Sequence, residues 1–112
     1  MNVRQITEDY SVSPQIAPED IAAVKAAGFR SVICNRPDNE EPGQPSADTI
    51  RKAAEAAGLG FRHVPVVSGQ MTAENVTDQA RALGELEGPV LAYCRSGTRC
   101  ANLHAAARQL RG

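Results

Sequence analysis

The sequence predicts an α/β fold: one domain over residues 1–112, with a mostly parallel central sheet and helices on both faces. Three observations carry this reading. Short β-branched runs alternate with segments of helical apolar spacing, the pattern that produces parallel sheets. Pro89-Val90-Leu91-Ala92-Tyr93 is apolar without alternation, as a central strand covered on both faces must be. Pro, Ser or Thr opens each of the first three helical segments and Gly closes it, matching the asymmetry of helix ends. A chain of 112 residues has room for one such domain.

The elements follow in order. Val3-Arg4-Gln5-Ile6 and Tyr10-Ser11-Val12 read as short strands around a turn at Glu8-Asp9. Ala17-Pro18-Glu19-Asp20 starts a helix, with Ile21, Val24 and Ala27 on its apolar face and Gly28 closing it. Ser31-Val32-Ile33-Cys34 is the next strand. Residues 36–45 (RPDNEEPGQP) form a loop long enough to be functional rather than merely connecting. Ser46 caps a second helix whose face is Ile50, Ala53, Ala54 and Ala57, ending at Gly58. Phe61-Arg62-His63-Val64-Pro65 is a strand. Thr72 caps a third helix, carried by Val76, Ala80 and Leu83 to Gly88. After the central strand, a last helix runs from about residue 99 to residue 110, with Ala101 and Leu103 beginning its buried side. Ligands of such sheets bind beyond the C-terminal strand ends, where loops 36–45 and 94–99 emerge.

Composition narrows the function classes. Lys plus Arg is 12 and Asp plus Glu is 13, so the net charge of −1 excludes the basic surface of a nucleic-acid or polybasic membrane binder. Aromatics are only 4%, with no Trp, so the core is aliphatic and built from small residues. No apolar run approaches the ~20 residues of a membrane span, and no charged-then-apolar leader opens the chain. A cytoplasmic protein without membrane or nucleic-acid partners is expected. Cys34, Cys94 and Cys100 are odd in number and lack a CxxC pair, which argues against a disulfide framework or zinc knuckle. His63 and His104 have no ligand at short spacing, so neither a metal nor a cofactor is expected. Reduced thiols point instead to reactivity.

That reactivity has a place. In Ala92-Tyr93-Cys94-Arg95-Ser96-Gly97-Thr98-Arg99-Cys100, a buried strand ends, four residues turn, and a helix begins. Successive N–H groups of such a loop can point inward as an anion nest, and the helix N-terminus adds positive potential. Arg99 closes the cradle with a bidentate fork. The same field lowers the pKa of the Cys94 thiol, setting a nucleophile against a bound oxyanion. An anion held by loop amides and Arg99 is the direct expectation. A plain tight turn explains Gly97 but not two arginines beside a thiol. A binding module that senses an anion without turnover would need Arg99 and dispense with Cys94.

Cys-x-x-Gly-x-Arg after an apolar strand is similar to the signature loop of cysteine-dependent phosphatases and rhodaneses. With Gln5-Ile6, Val32-Ile33-Cys34-Asn35-Arg36-Pro37-Asp38 and the segment from Cys94 to Asn102, nearly the whole chain resembles the beta-lactamase-hydrolase-like phosphatase family. The resemblance implies a small fold similar to dual-specificity phosphatases. It also implies domains that occur alone or fused to sulfur-handling enzymes, metallo-beta-lactamase-type persulfide dioxygenases among them. By position, Cys94 would be the nucleophile and Arg99 the oxyanion clamp, with the amides of Arg95, Ser96, Gly97 and Thr98 binding the anion.

Three departures from the phosphatase pattern lean toward sulfur. Four residues separate Cys94 from Arg99, the rhodanese spacing, where phosphatases have five. The stretch Val66-Val67-Ser68-Gly69-Gln70-Met71 has no carboxylate where phosphatases place their general acid, so a proton donor would have to be Asp38, Glu40 or Glu41. Cys100 replaces the usual hydroxyl after the arginine, removing a donor to the nucleophile. The sequence therefore favours sulfane-sulfur transfer through a Cys94 persulfide, with phosphomonoester hydrolysis through a phosphocysteine as the alternative. The partners are then a small anionic substrate or a persulfide donor and acceptor, together with a fused or interacting sulfur-metabolism enzyme. Cys34 and Cys100 are candidate redox modulators, since Cys34 ends a strand expected beside the Cys94 strand; Cys34 also reads as a small buried hydrophobe.

Overall fold

The computed structural model describes residues 2–110. Five short strands, β1 (Arg4–Thr7), β2 (Tyr10–Ser13), β3 (Ser31–Cys34), β4 (Gly60–His63) and β5 (Val90–Tyr93), pair in the order β1-β2-β5-β3-β4. β1 is an antiparallel edge, and the other four run parallel. The last strand in sequence thus lies in the middle of the sheet, and the 94–99 loop leaves from its C-terminal end.

Among the described residues, four α-helices cover the sheet: α1 (Ile21–Ala26), α2 (Ala47–Ala56), α3 (Ala73–Glu85) and α4 (Thr98–Leu110). β5 shows why both faces are buried. Leu91 and Tyr93 pack with Val24, Ile50 and Ala54 on the α1/α2 side, whereas Val90, Ala92 and Cys94 pack with Ala82 and Leu103 on the α3/α4 side. Alternate residues of a strand must face opposite ways, so a strand between two helical layers is apolar throughout. Among the described residues, no helix is long and apolar enough to cross a membrane.

The expected caps are present. Ser46 accepts from the Thr49 amide at 3.1 Å and Thr72 from the Asn75 amide at 3.0 Å. Element ends moved where tertiary packing outweighed local pattern. α3 stops at Glu85 rather than Gly88, because Leu86 turns extended and packs into the α3/α4 core. Its buried residues are Gln79 and Ala82 rather than Ala80, and in the first helix Ala27 is exposed. β4 begins at Gly60 and ends at His63; Val64 lies just past it, and its amide still donates to the Cys34 carbonyl at 2.9 Å. α4 opens one residue early, at Thr98.

The pleat also corrects one expectation. β3 does neighbour β5, with Cys34 level with Tyr93. That register sends Cys34 to the α1/α2 core and Cys94 to the α3/α4 core. The sheet therefore lies between the two thiols, and Cys34 acts as a buried packing residue whose sulfur meets the Arg36 carbonyl at 3.3 Å.

Candidate active site

The 94–99 loop is built by β5 and α4 together. The amide of Cys94 is tied to the Ser13 carbonyl at 3.3 Å, which extends the β2–β5 pairing by one residue and buries the thiol completely. The chain then turns through Gly97, whose φ of +91° is a conformation that side-chain-bearing residues rarely adopt. This turn aims the Gly97 N–H at the Cys94 sulfur, 3.1 Å away. The Thr98 amide donates to the Ser96 hydroxyl at 3.4 Å, and α4 begins.

The Cys94 thiol is pulled down to about 5, well below an ordinary cysteine. The largest cause is a hydrogen bond from the Cys100 thiol; burial opposes it, and amides of Cys100, Ser96 and Gly97 add to it. Cys100 itself is pushed well upward, first by burial and then by its bond to Cys94. It therefore stays protonated and donates. A Cys100 thiol held protonated can donate to Cys94 where the usual hydroxyl would. All three cysteines are free.

A pH profile should report this bond. Cys100→Ala removes a donor from the thiolate, so the acidic limb of kcat/KM should move to higher pH. The expected shift is roughly half to one pH unit, the equivalent of one hydrogen bond of about 1 kcal/mol. Cys100→Ser should keep most of the lowering. A limb that stays in place in the alanine variant would remove Cys100 from the account.

Arg99 is held by the 36–45 loop. Its Nη1 donates to Glu40 Oε2 at 2.8 Å and to the Val66 carbonyl at 2.9 Å, and its Nη2 donates to Glu40 Oε1 at 2.8 Å. A guanidinium has five N–H donors, two on each Nη and one on Nε. Three of Arg99's are spent in these bonds, which leaves Nε–H and one Nη2–H, the other two-pronged edge of the group. Glu40 thus orients Arg99 and leaves the remaining edge of the group without a bond to it. Glu40 is oriented in turn by Arg36, whose Nε donates to it at 2.8 Å while its Nη1 reaches Gln15 and its Nη2 reaches Glu41. Only 2% of the Arg36 side chain is exposed, so the web has a buried anchor.

The three candidate acids are placed by these contacts. Asp38 Oδ1 accepts the Ala47 amide at 2.8 Å and so caps α2. Glu40 is lowered, chiefly by its bond from Arg99 and then by that from Arg36. Glu41 is lowered chiefly by Arg36 and next by Arg95. A proton donor at neutral pH needs a raised pKa, so Glu40 and Glu41 serve as counter-charges in this arrangement.

Sequence reasoning missed the polar chain beneath the loop. Asn35 Nδ2 donates to Gln79 Oε1 at 3.0 Å, Gln79 Nε2 to the Tyr10 hydroxyl at 3.2 Å, and that hydroxyl to the Cys100 carbonyl at 2.9 Å. This chain ties the first turn of α4 to β2, α3 and the end of β3. One signal was available: Gln79 falls three residues after Val76 and four before Leu83, a polar residue on an apolar face. His63 and His104 lie apart, His63 at the Arg36 carbonyl and His104 stacked on Tyr10.

Comparison with known proteins places this geometry. The profile of a family described as the phosphatase-like domain of beta-lactamase hydrolase-like proteins matches residues 2–110. A beta-lactamase hydrolase-like protein of Xylella fastidiosa is 37% identical over the whole chain, which spans 26% of that relative's length. A crystal structure from Neisseria meningitidis, of a protein provisionally assigned as a phosphatase, is 38% identical with a TM-score of 0.89, covering 100% of this chain and 80% of that one. The core catalytic domain of a PP-IP phosphatase from S. cerevisiae is 17% identical with a TM-score of 0.73, over 98% of this chain and 66% of that one, a likeness of fold alone. The two solved proteins are described as phosphatases, and sulfur transfer is named for none of the three.

Proposed function

Because the chain belongs to the family of phosphatase-like domains of beta-lactamase hydrolase-like proteins, we propose that it hydrolyses phosphate esters, with Cys94 as nucleophile and Arg99 as oxyanion clamp. The observation that carries this reading is the loop itself: the Gly97 N–H meets the Cys94 sulfur at 3.1 Å, and the loop ends at Arg99, whose bonds to Glu40 and the Val66 carbonyl leave one edge of the guanidinium for a ligand. The thiolate attacks phosphorus; a P–S bond forms and the P–O bond to the leaving group breaks. Water then attacks the phosphocysteine, the P–S bond breaks, and inorganic phosphate leaves. The free edge of Arg99 and the loop amides not taken by Cys94 or Ser96 hold the non-bridging oxygens, whose charge is what such preorganised donors stabilise.

Among the described residues, Asp38 is engaged by a helix amide and Glu40 and Glu41 by arginines, so in this reading the leaving group departs without a proton donor, which has a kinetic consequence. The rate should fall steeply as the leaving group becomes more basic. Aryl phosphates should outpace alkyl phosphates by about 10²–10⁴, the range a general acid would otherwise supply. A series of substituted phenyl phosphates gives the slope, and a flat slope would place a working acid in the site.

Sulfane-sulfur transfer remains the second reading, favoured by the four-residue spacing and by the absence of a carboxylate in residues 66–71. One purified sample decides between them. Expected are p-nitrophenyl phosphate hydrolysis and no persulfide on Cys94 after incubation with thiosulfate. An adduct of about 32 Da, one sulfur atom, without phosphate release would reverse the order, and a persulfide donor, an acceptor and a sulfur-metabolism enzyme would then be the partners to seek.

A further inference from the structure

A concavity adjoins the 94–99 loop. A cavity of about 500 Å³ opens between the Ser68-Gly69 turn and the start of α4, lined by Ser68, Arg95, Ser96, Thr98, Arg99 and Asn102. Its volume suits a small molecule. The lining side chains are two guanidiniums, three hydroxyls and an amide, with neither a carboxylate nor an aromatic ring among them. An aryl group would meet no ring to stack on. The chain has two Tyr and two Phe, and Tyr10, Tyr93, Phe61 and Phe29 are all committed to the two cores.

The two arginines differ in freedom. Arg99 is fixed by Glu40 and Val66, whereas the Arg95 side chain is 69% exposed. The Arg95 contact to Glu41, 3.6 Å between two solvent-exposed groups, is worth little in water. Arg95 can therefore turn to a ligand that enters beside Arg99. Resting on the hydrolase reading, we infer that the substrate is a small, non-aromatic polyanion: a phosphate ester or anhydride whose departing portion carries a second anionic group, which Arg95 reads. A bisphosphate fits this cavity, and a phosphotyrosyl side chain does not use it.

The test measures inhibition of p-nitrophenyl phosphate hydrolysis by bisphosphoglycerate and by a monophosphoglycerate, which differ only in the second phosphate. Bisphosphoglycerate should bind at least about tenfold more tightly, roughly what one charge-assisted hydrogen bond supplies. In Arg95→Gln that ratio should fall to near unity. In Arg30→Gln, which removes equal charge at the opposite end of the sheet, the ratio should persist. Equal inhibition by the two compounds, or an equal fall in both variants, overturns the inference and leaves the hydrolase reading standing. If no aryl phosphate is hydrolysed, the hydrolase reading falls, and calorimetry on Cys94→Ser with the same pair judges the cavity alone. A tenfold preference lost on adding Arg95→Gln then supports the second anion site, and equal binding overturns it.

Discussion

Cys94→Ser should abolish turnover, by on the order of 10⁴–10⁶, while leaving the fold and anion binding in place. The magnitude is that of removing a covalent nucleophile from a site whose other parts survive. Every device around Cys94 serves a thiolate: the Cys100 thiol, the Gly97 amide at 3.1 Å and the neighbouring amides draw its pKa down to about 5. A serine hydroxyl is too weak an acid for those donors to ionise near neutrality, and no general base stands beside it. The fold should tolerate the change, since serine is no larger and its oxygen can still accept from Gly97. Thermal unfolding and calorimetry with phosphate check those two points, and single-turnover kinetics check the first. Retained turnover would put the chemistry elsewhere and make this a binding module. The sign of the pH dependence follows from the same group. Below about pH 5 the sulfur is protonated and unreactive, so activity should rise with pH through that value and then level off.

Two kinds of signal made the fold and the place of Cys94 readable in the chain. The unbroken apolar run of β5 had to be a strand covered on both sides, and Cys94 directly after it had to lie at a C-terminal strand end. Ser46 and Thr72 announced their helices because capping is a local bond between residues three apart. What stayed hidden depends on distance along the chain. Glu40 meets Arg99 across 59 positions, and Tyr10 meets the Cys100 carbonyl across 90. No periodicity encodes such pairs. Arg36 read as a loop residue because charged side chains are rarely buried, yet two carboxylates and Gln15 satisfy it inside. The partners of Glu40 and Cys100 bear on the roles proposed for them for one reason. Sequence gives the chemistry of a side chain, and its partner determines the direction in which that chemistry is used.

Arg99→Lys should cost about 10²–10³ in kcat/KM, the loss that follows removal of a preorganised oxyanion donor. Lysine keeps the charge and loses the geometry. Arg99 satisfies Glu40 and the Val66 carbonyl with one edge and offers another edge to the substrate. An ammonium has three donors on one atom and cannot serve both sides at once. Glu40 acts through Arg99, so its effect should depend on that arginine. Glu40→Gln keeps the shape but removes the charge and one of the two accepting oxygens. In the Arg99 protein it should lower the plateau of the pH profile, through kcat more than KM. In the Arg99→Lys background it should add little, since the fork it orients is already gone; the double-mutant cycle measures that coupling. The position of the acidic limb separates this role from proton donation. The Arg99 and Arg36 bonds hold Glu40 below the usual carboxylate range, so it is charged throughout the limb set by Cys94. The glutamine variant should therefore lower activity without adding or removing a basic limb. Equal losses in both backgrounds would make Glu40 a support for the 36–45 loop alone, and a vanished basic limb would make it the missing acid.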